Sequence, residues 1–263
     1  IANLAQSQSL AMAARCQELR QQGVDVVGMT LGEPDFATPD HVKDAICQAV
    51  HADFSHYGPV AGLPEVRQAI SDYLLRKKHI AYSADELILS VGAKQAICNS
   101  VLALVNHGDE VVIPIPCWVS YSEMVKLAEG VPMLVPTQPE NGFKLQPNEL
   151  EDVITERTKL LMICSPNNPT GSVYTVSELG ELVRVLQRHP QVFVLTDEVY
   201  ADINYVGGAA SLTEFSCIQD RLIYIGSTSK TYAMPGYRMG WMASKNKELI
   251  KACITLQGQY NTC

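Results

Sequence analysis

The 263-residue sequence contains no long hydrophobic run. Its longest apolar stretch, Val111–Val119, is broken by Pro114 and Pro116, so no segment reads as a membrane-spanning helix. No secretory signal is visible in the opening residues. Basic residues are in the minority, 20 Lys and Arg against 28 Asp and Glu. The resulting net charge of −8 disfavours nucleic acid and anionic membranes as partners, although it leaves room for a local basic pocket. Gly-x-Gly-x-x-Gly, Walker A and His-Glu-x-x-His strings do not occur, which removes the support for dinucleotide, nucleoside-triphosphate and zincin chemistry. Neither does a Cys-x-x-Cys pair or a Cys/His cluster with zinc spacing, so no metal site is expected. Internal repeats and low-complexity linkers are missing too.

What remains has an ordinary globular composition, 47% hydrophobic and 18% charged. A chain of this size buries roughly 70–75% of its unfolded surface and needs no disulfide or metal to fold. Its eight cysteines lie at long, irregular spacings, most of them in apolar stretches, where a reduced thiol acts as a small hydrophobe. This pattern fits a reducing, cytoplasmic setting. The sequence opens on Ile1 and stops at Asn261-Thr262-Cys263, as a fragment would.

The first thirty residues are helical in period and end at Gly23, a candidate left-handed cap. Thr38-Pro39 reads as the start of a second helix, with Thr38 as N-cap and Val42, Ala45, Ile46, Ala49 and Val50 on one face. Val66, Ala69, Ile70, Tyr73 and Leu74 repeat the pattern. Beyond residue 87, strands are expected at Leu87–Val91, Glu110–Ile115, Val131–Val135, Lys159–Cys164, Gln191–Thr196, Leu222–Ile225 and Met239–Ala243. Helices are expected near 93–105, 119–129, 147–155 and 176–188, the last opened by a Thr175/Glu178 capping box. Alternating apolar strands and helices specify an α/β fold with a mostly parallel sheet covered on both faces.

In such a sheet, ligands bind beyond the carboxyl ends of the strands. Those ends are followed by Gly92-Ala93-Lys94-Gln95, by Cys117-Trp118, by Asn167-Asn168-Pro169-Thr170-Gly171, by Asp197-Glu198-Val199-Tyr200 and by Ser227-Thr228-Ser229-Lys230, with Arg238 eight residues further on. Singly, each has an ordinary explanation: a solvated lysine, a capping aspartate, a core indole, a turn. Together they supply a helix N-terminus, a hydroxyl and a guanidinium for a phosphate, an indole for a planar ring, a carboxylate for a protonated ring nitrogen and an amine for a Schiff base. Pyridoxal phosphate matches that inventory group for group.

At these residues the sequence resembles the fold-type-I, pyridoxal-phosphate-dependent aminotransferases of class I/II, and within them the bacterial aspartate aminotransferase subgroup. The resemblance runs from Leu31-Gly32-Glu33-Pro34-Asp35-Phe36 and Tyr57-Gly58-Pro59 through Gly92-Ala93-Lys94-Gln95, Trp118-Val119-Ser120-Tyr121, Asn168-Pro169-Thr170-Gly171 and Asp197-Glu198-Val199-Tyr200. It closes on Ser227-Thr228-Ser229-Lys230 and Gly236-Tyr237-Arg238-Met239-Gly240, the most specific part. It implies a three-layer large domain over residues 31–263, preceded by an N-terminal helical segment over 1–30, with the family's small C-terminal domain missing.

The resemblance also implies roles. Lys230 forms the Schiff base and shuttles protons, Asp197 pairs with the pyridine nitrogen, and Asn168 and Tyr200 face the phenolic oxygen. Trp118 stacks on the ring; the Ala93 and Lys94 N–H groups, Ser227 and Arg238 hold the phosphate; and Tyr57 reaches the phosphate of a neighbouring subunit in a homodimer. Gly32, Trp118 and Asn168 meet the substrate, an L-amino acid such as aspartate, with 2-oxoglutarate as the acceptor. The arginine that clamps the substrate α-carboxylate in the family falls beyond Cys263. Pro235 and Cys117 stand where close relatives usually have Thr and Tyr. Other readings of the same residues are a carbon–sulfur lyase, a decarboxylase or a non-catalytic module that binds pyridoxal phosphate. Ser227-Thr228-Ser229-Lys230 also fits the Ser-x-x-Lys of β-lactamases, but Ser-Asp-Asn and Lys-Thr-Gly partners are absent.

Overall fold

Along β4 (Thr158–Cys164), Leu160, Met162 and Cys164 pack into one hydrophobic cluster while Leu161 and Ile163 pack into another on the opposite face. A strand buried on both sides needs apolar residues at successive positions, and this segment supplies them. The computed structural model describes residues 4, 8–29, 32–205, 207 and 210–261, without the side chains of 8–10. Leu31, Thr262 and Cys263 lie outside the described residues.

The seven strands are β1 (Leu87–Val91), β2 (Glu110–Ile115), β3 (Val131–Pro136), β4, β5 (Phe193–Asp197), β6 (Leu222–Ser227) and β7 (Met239–Ala243), in the sheet order β1-β7-β6-β5-β4-β2-β3. β3, β2, β4, β5 and β6 pair in parallel, whereas β7 is antiparallel to both β6 and β1. Two reversals restore direction, so β1 also runs parallel to β6. The carboxyl ends of six strands, together with the start of β7, therefore share one edge.

α4 (Gly92–Leu104), α5 (Ser120–Leu127) and α9 (Lys247–Tyr260) cover one face of the sheet. α7 (Val176–Arg188) covers the other, burying Leu179, Leu182, Val183 and Leu186 as expected; α6 (Pro147–Val153) joins the same side through Leu150. A third cluster forms where Ile70 of α3 (Pro64–Tyr73) and Leu74 meet Leu87, Tyr224 and Trp241. α9, which the apolar period alone did not mark, is capped by Asn246 and fixed by Gln257. That fully buried amide donates to the carbonyls of Val60 and Leu89 and accepts from Asn99. Among the described residues, no helix is long and apolar enough to cross a membrane.

Two expectations need correction. Within the helical segment expected over residues 1–30 the helix is α1 (Gln8–Gln21), and residues 24–29 are not helical. Gly23 does close it, with the Val24 N–H reaching Leu19 and the Gly23 N–H reaching Arg20. Thr38 is not an N-cap: α2 (Asp40–His51) begins after Pro39, and the Thr38 hydroxyl instead donates to the Ala233 carbonyl at 2.6 Å. The apolar face of α2 buries none of its residues within this chain. Of the cysteines, Cys164 and Cys253 are buried, but Cys47 and Cys217 are exposed.

Candidate cofactor site on the carboxyl edge of the sheet

β5 and β6 are parallel neighbours, Asp197 standing opposite Ile225, so the turn after β6 lies beside the end of β5. That turn is α8 (Thr228–Thr231), a four-residue helix carrying Lys230. The pairing sets the turn that bears Lys230 beyond the strand next to the one that ends on the buried Asp197.

Asp197 is 4% exposed and accepts two hydrogen bonds, one from the Tyr121 hydroxyl at 2.6 Å and one from the Val199 N–H at 3.3 Å. Burial raises its carboxyl to about 6, and both hydrogen bonds work against that rise. Its neighbour Glu198, pushed up to about 7 by burial, turns to the other side and is held by the hydroxyls of Ser211 and Thr196. Tyr200 follows, its hydroxyl accepting from the Asn168 amide at 3.0 Å; burial raises this phenol to about 12. The pair expected to face a phenolic oxygen is thus already joined across β4 and β5.

Lys230 is half-buried, and its Nζ donates to the Gly32 carbonyl. Desolvation lowers the amine, Arg238 pushes in the same direction, and Glu33 opposes them. A lysine below its usual range is a better nucleophile and proton carrier near neutral pH. The turn is set by Ser227, whose Oγ accepts from the Ser229 N–H at 3.0 Å and donates to the Met239 carbonyl.

The phosphate expectation falls on the start of α4. Gly92 has φ of 75°, and a Cβ there would lie 2.4 Å from Arg238 Nη2. The guanidinium occupies the space a side chain would take and donates to the Val91 and Pro235 carbonyls, beside the start of α4. Arg238 itself sits in the left-handed region, φ 58°, which aims it back across the edge. Gly240 is equally constrained, because a Cβ would fall 2.4 Å from the Ala93 backbone nitrogen. Trp118 is half-buried, with Tyr121 edge-on at 5.4 Å and Lys94 Nζ 4.9 Å from its ring centre. Tyr57 stands apart, 92% exposed between α2 and α3.

The structure thus gathers Lys230, Asp197, Tyr200, Asn168, Trp118, Ser227, Arg238, Gly32 and the Ala93–Lys94 backbone on one edge, and leaves Tyr57 outside. Sequence reasoning gave Tyr121 no role, although its spacing three residues after Trp118 puts both on the α5 entry. A groove of about 870 Å³ runs along α4 and α5 from Arg238 and Lys94 past Cys98 and Met124 to Tyr260. It borders the site without including Lys230 or Asp197. Among the described residues, no cluster of His, Cys, Asp and Glu could hold a metal. A buried anion, a desolvated amine and a guanidinium seated in a glycine-made space at a helix start fit pyridoxal phosphate.

Comparison with known proteins agrees with this geometry. The profile of the family "Aminotransferase class I and II" matches residues 24–263. A probable aspartate/prephenate aminotransferase of Rickettsia bellii is 42% identical over 96% of this chain, which spans 64% of that relative's length. The solved aspartate aminotransferase of Rhizobium meliloti superposes with a TM-score of 0.95 at 37% identity, covering 100% of this chain and 66% of that one. That of Thermus thermophilus, solved with maleate, gives 0.94 at 39% identity over 98% of this chain and 67% of its own. With the family match over residues 24–263 and a backbone shared over 98–100% of the chain with these solved aspartate aminotransferases, the conclusion is direct: the chain belongs to the class I and II aminotransferase family.

Proposed function

We propose that this chain is the cofactor-binding part of an aminotransferase that moves the amino group of an L-amino acid, aspartate in the first instance, to a 2-oxo acid such as 2-oxoglutarate. The observation that carries the proposal is the pairing of two parallel strands, one ending on the buried Asp197 and the other leading directly into the short helix that bears the half-buried Lys230. The cofactor of the family is pyridoxal phosphate, which supplies an aldehyde and a ring that withdraws electrons from the substrate Cα. Arg238, Ser227 and the Ala93 and Lys94 N–H groups would hold its phosphate, and Trp118 would lie on its ring. Asp197 keeps positive charge on the ring nitrogen, and a cation there would draw its carboxyl below the value of about 6 that burial imposes. Asn168 and Tyr200 orient the phenolic oxygen. Lys230 would take a proton from the substrate Cα and return it, and its lowered affinity for protons suits that task. The Gly32 backbone would meet the substrate carboxylate.

We further infer a homodimer. The apolar face of α2 is only partly covered among the described residues, with Val50 71% exposed, and Tyr57 is fully presented, which suits a second copy whose phosphate site Tyr57 would complete. Residues 31–263 are read as the large domain. A cytoplasmic setting is favoured by the irregularly spaced thiols, with Cys47 and Cys217 exposed.

The test is to load the chain with pyridoxal phosphate, reduce with borohydride and locate the added mass. We expect it on Lys230; no label there overturns the reading. Glutamate formed from 2-oxoglutarate and aspartate supports transfer, whereas release of sulfide or carbon dioxide from a suitable amino acid would reassign the chain to lyase or decarboxylase chemistry.

A further inference from the structure

α8 carries Lys230 in four residues, too few for a helix to hold its own geometry. Its first end is fixed by Ser227. Its last residue, Thr231, donates through Oγ1 to Asp202 Oδ2 at 2.9 Å. The same oxygen accepts from the Tyr73 hydroxyl at 2.7 Å, and Lys78 Nζ reaches Oδ1. Asp202 lies in the segment after β5, two residues beyond Tyr200; Tyr73 ends α3, and Lys78 ends the π-helical turn that follows it. One carboxylate therefore joins the lysine turn, the Tyr200 segment and the α3 region. Burial pushes this carboxyl up, but its hydrogen bonds from Lys78, Tyr73 and Thr231 outweigh that and hold it below the usual range, so it is an anion at neutral pH. Charge-assisted bonds of this kind are the stronger class and fix geometry as well as position.

We infer that Asp202 is a positioning residue for Lys230, acting through the Thr231 hydroxyl to set the lysine turn against the segment that bears Asp197 and Tyr200. The inference rests on the functional reading above. A plain surface ion pair between Asp202 and Lys78 would have no need of Thr231, and a fold-stabilising strut would not discriminate among cofactor-loading variants of equal stability. The Thr231 hydroxyl is therefore the informative atom. Thr231→Val deletes the donor at nearly constant shape, Thr231→Ser keeps it, and Asp202→Asn removes the charge from the acceptor.

Each variant of the full chain is titrated with pyridoxal phosphate and reduced with borohydride, and the Lys230 peptide is quantified by mass spectrometry. Thermal unfolding is measured on the same samples without cofactor. We expect Thr231→Val and Asp202→Asn to need about tenfold more pyridoxal phosphate for half-labelling, the scale of one charge-assisted hydrogen bond. Thr231→Ser should restore wild-type labelling, with unfolding temperatures unchanged. Wild-type labelling in Thr231→Val, failure of Thr231→Ser to rescue, or losses that only follow the unfolding temperature would each overturn the assignment. If the wild type itself takes no label on Lys230, the functional reading falls and this one with it. If the wild type labels and the variants match it, this one alone falls.

Discussion

The Tyr121 hydroxyl donates to Asp197 at 2.6 Å across a separation of 76 residues. Both groups are buried, so neither has water as an alternative partner. Of the two bonds that offset the desolvation of Asp197, this one contributes more. Tyr121→Phe should therefore let the carboxyl rise further above about 6 and leave more of it protonated near neutral pH. A protonated Asp197 pairs poorly with a cationic ring nitrogen. We expect pyridoxal phosphate to bind roughly tenfold more weakly, the deficit shrinking as pH is raised. Labelling titrations at two pH values would check this, and a pH-independent deficit would contradict it.

Asp197 also makes stability depend on pH in an unusual direction. Its folded carboxyl holds a proton up to about 6, whereas the unfolded group releases it near 3.8. The folded state thus binds more protons in this window, and raising the pH through it weakens the cofactor-free chain. The loss attached to Asp197 is roughly 3 kcal/mol. Glu198, raised to about 7, extends the decline toward neutrality. Because Asp202 and Glu86 are lowered and act oppositely at acid pH, the useful quantity is a difference. Urea unfolding of wild type and Asp197→Asn at pH 4.5 and 7 should show the wild type losing ground relative to the variant as pH rises. Parallel behaviour would exclude a raised Asp197.

Sheet and site were legible to different depths in the sequence. Strands such as Leu160–Cys164 declare themselves because burial on both faces demands consecutive apolar residues. The edge clusters followed, since each polar group comes directly after such a run. Tyr121 did not, because a tyrosine on an amphipathic helix looks the same whether it faces a carboxylate or packs as core. Thr38 misled for a related reason: Thr-Pro is a good helix start, but the hydroxyl found a stronger use on Ala233, a contact 195 residues away. The face of α2 shows the opposite limit. Its period is genuine, yet periodicity states that a face must be covered and not by what.

Where local signals and tertiary structure agree, their cost can be forecast. The Thr175 N–H donates to Glu178 at 2.7 Å, the Glu178 N–H returns to Thr175 Oγ1, and Lys144 braces the same carboxylate. Thr175→Ala removes the cap and should destabilise the chain by about 1 kcal/mol. Because α7 lies on the face away from α4, labelling of Lys230 should not change. A shift in the urea midpoint without a shift in labelling is the expected result.

The two glycines around the α4 start separate a movable obstacle from an immovable one. At Gly92 an added methyl meets the end of the Arg238 side chain at 2.4 Å, and φ of 75° adds strain for any residue with a Cβ. The guanidinium can retreat, so Gly92→Ala should fold, at a cost of about 1–2 kcal/mol for the left-handed conformation, and lose phosphate affinity. At Gly240 the obstacle is the Ala93 backbone nitrogen, also 2.4 Å away, with the Gly92 carbonyl carbon at 2.5 Å. No rotamer change relieves that contact; β7 must part from α4. Gly240→Ala should therefore cost more stability than Gly92→Ala and abolish binding of inorganic phosphate as well as of pyridoxal phosphate. Gly236→Ala, where nothing lies within 4 Å, is the control and should behave as wild type. Calorimetric titration with inorganic phosphate, alongside thermal unfolding of all three variants, measures both effects. Equal losses at Gly92 and Gly240 would mean that the arginine is as fixed as the backbone it rests on.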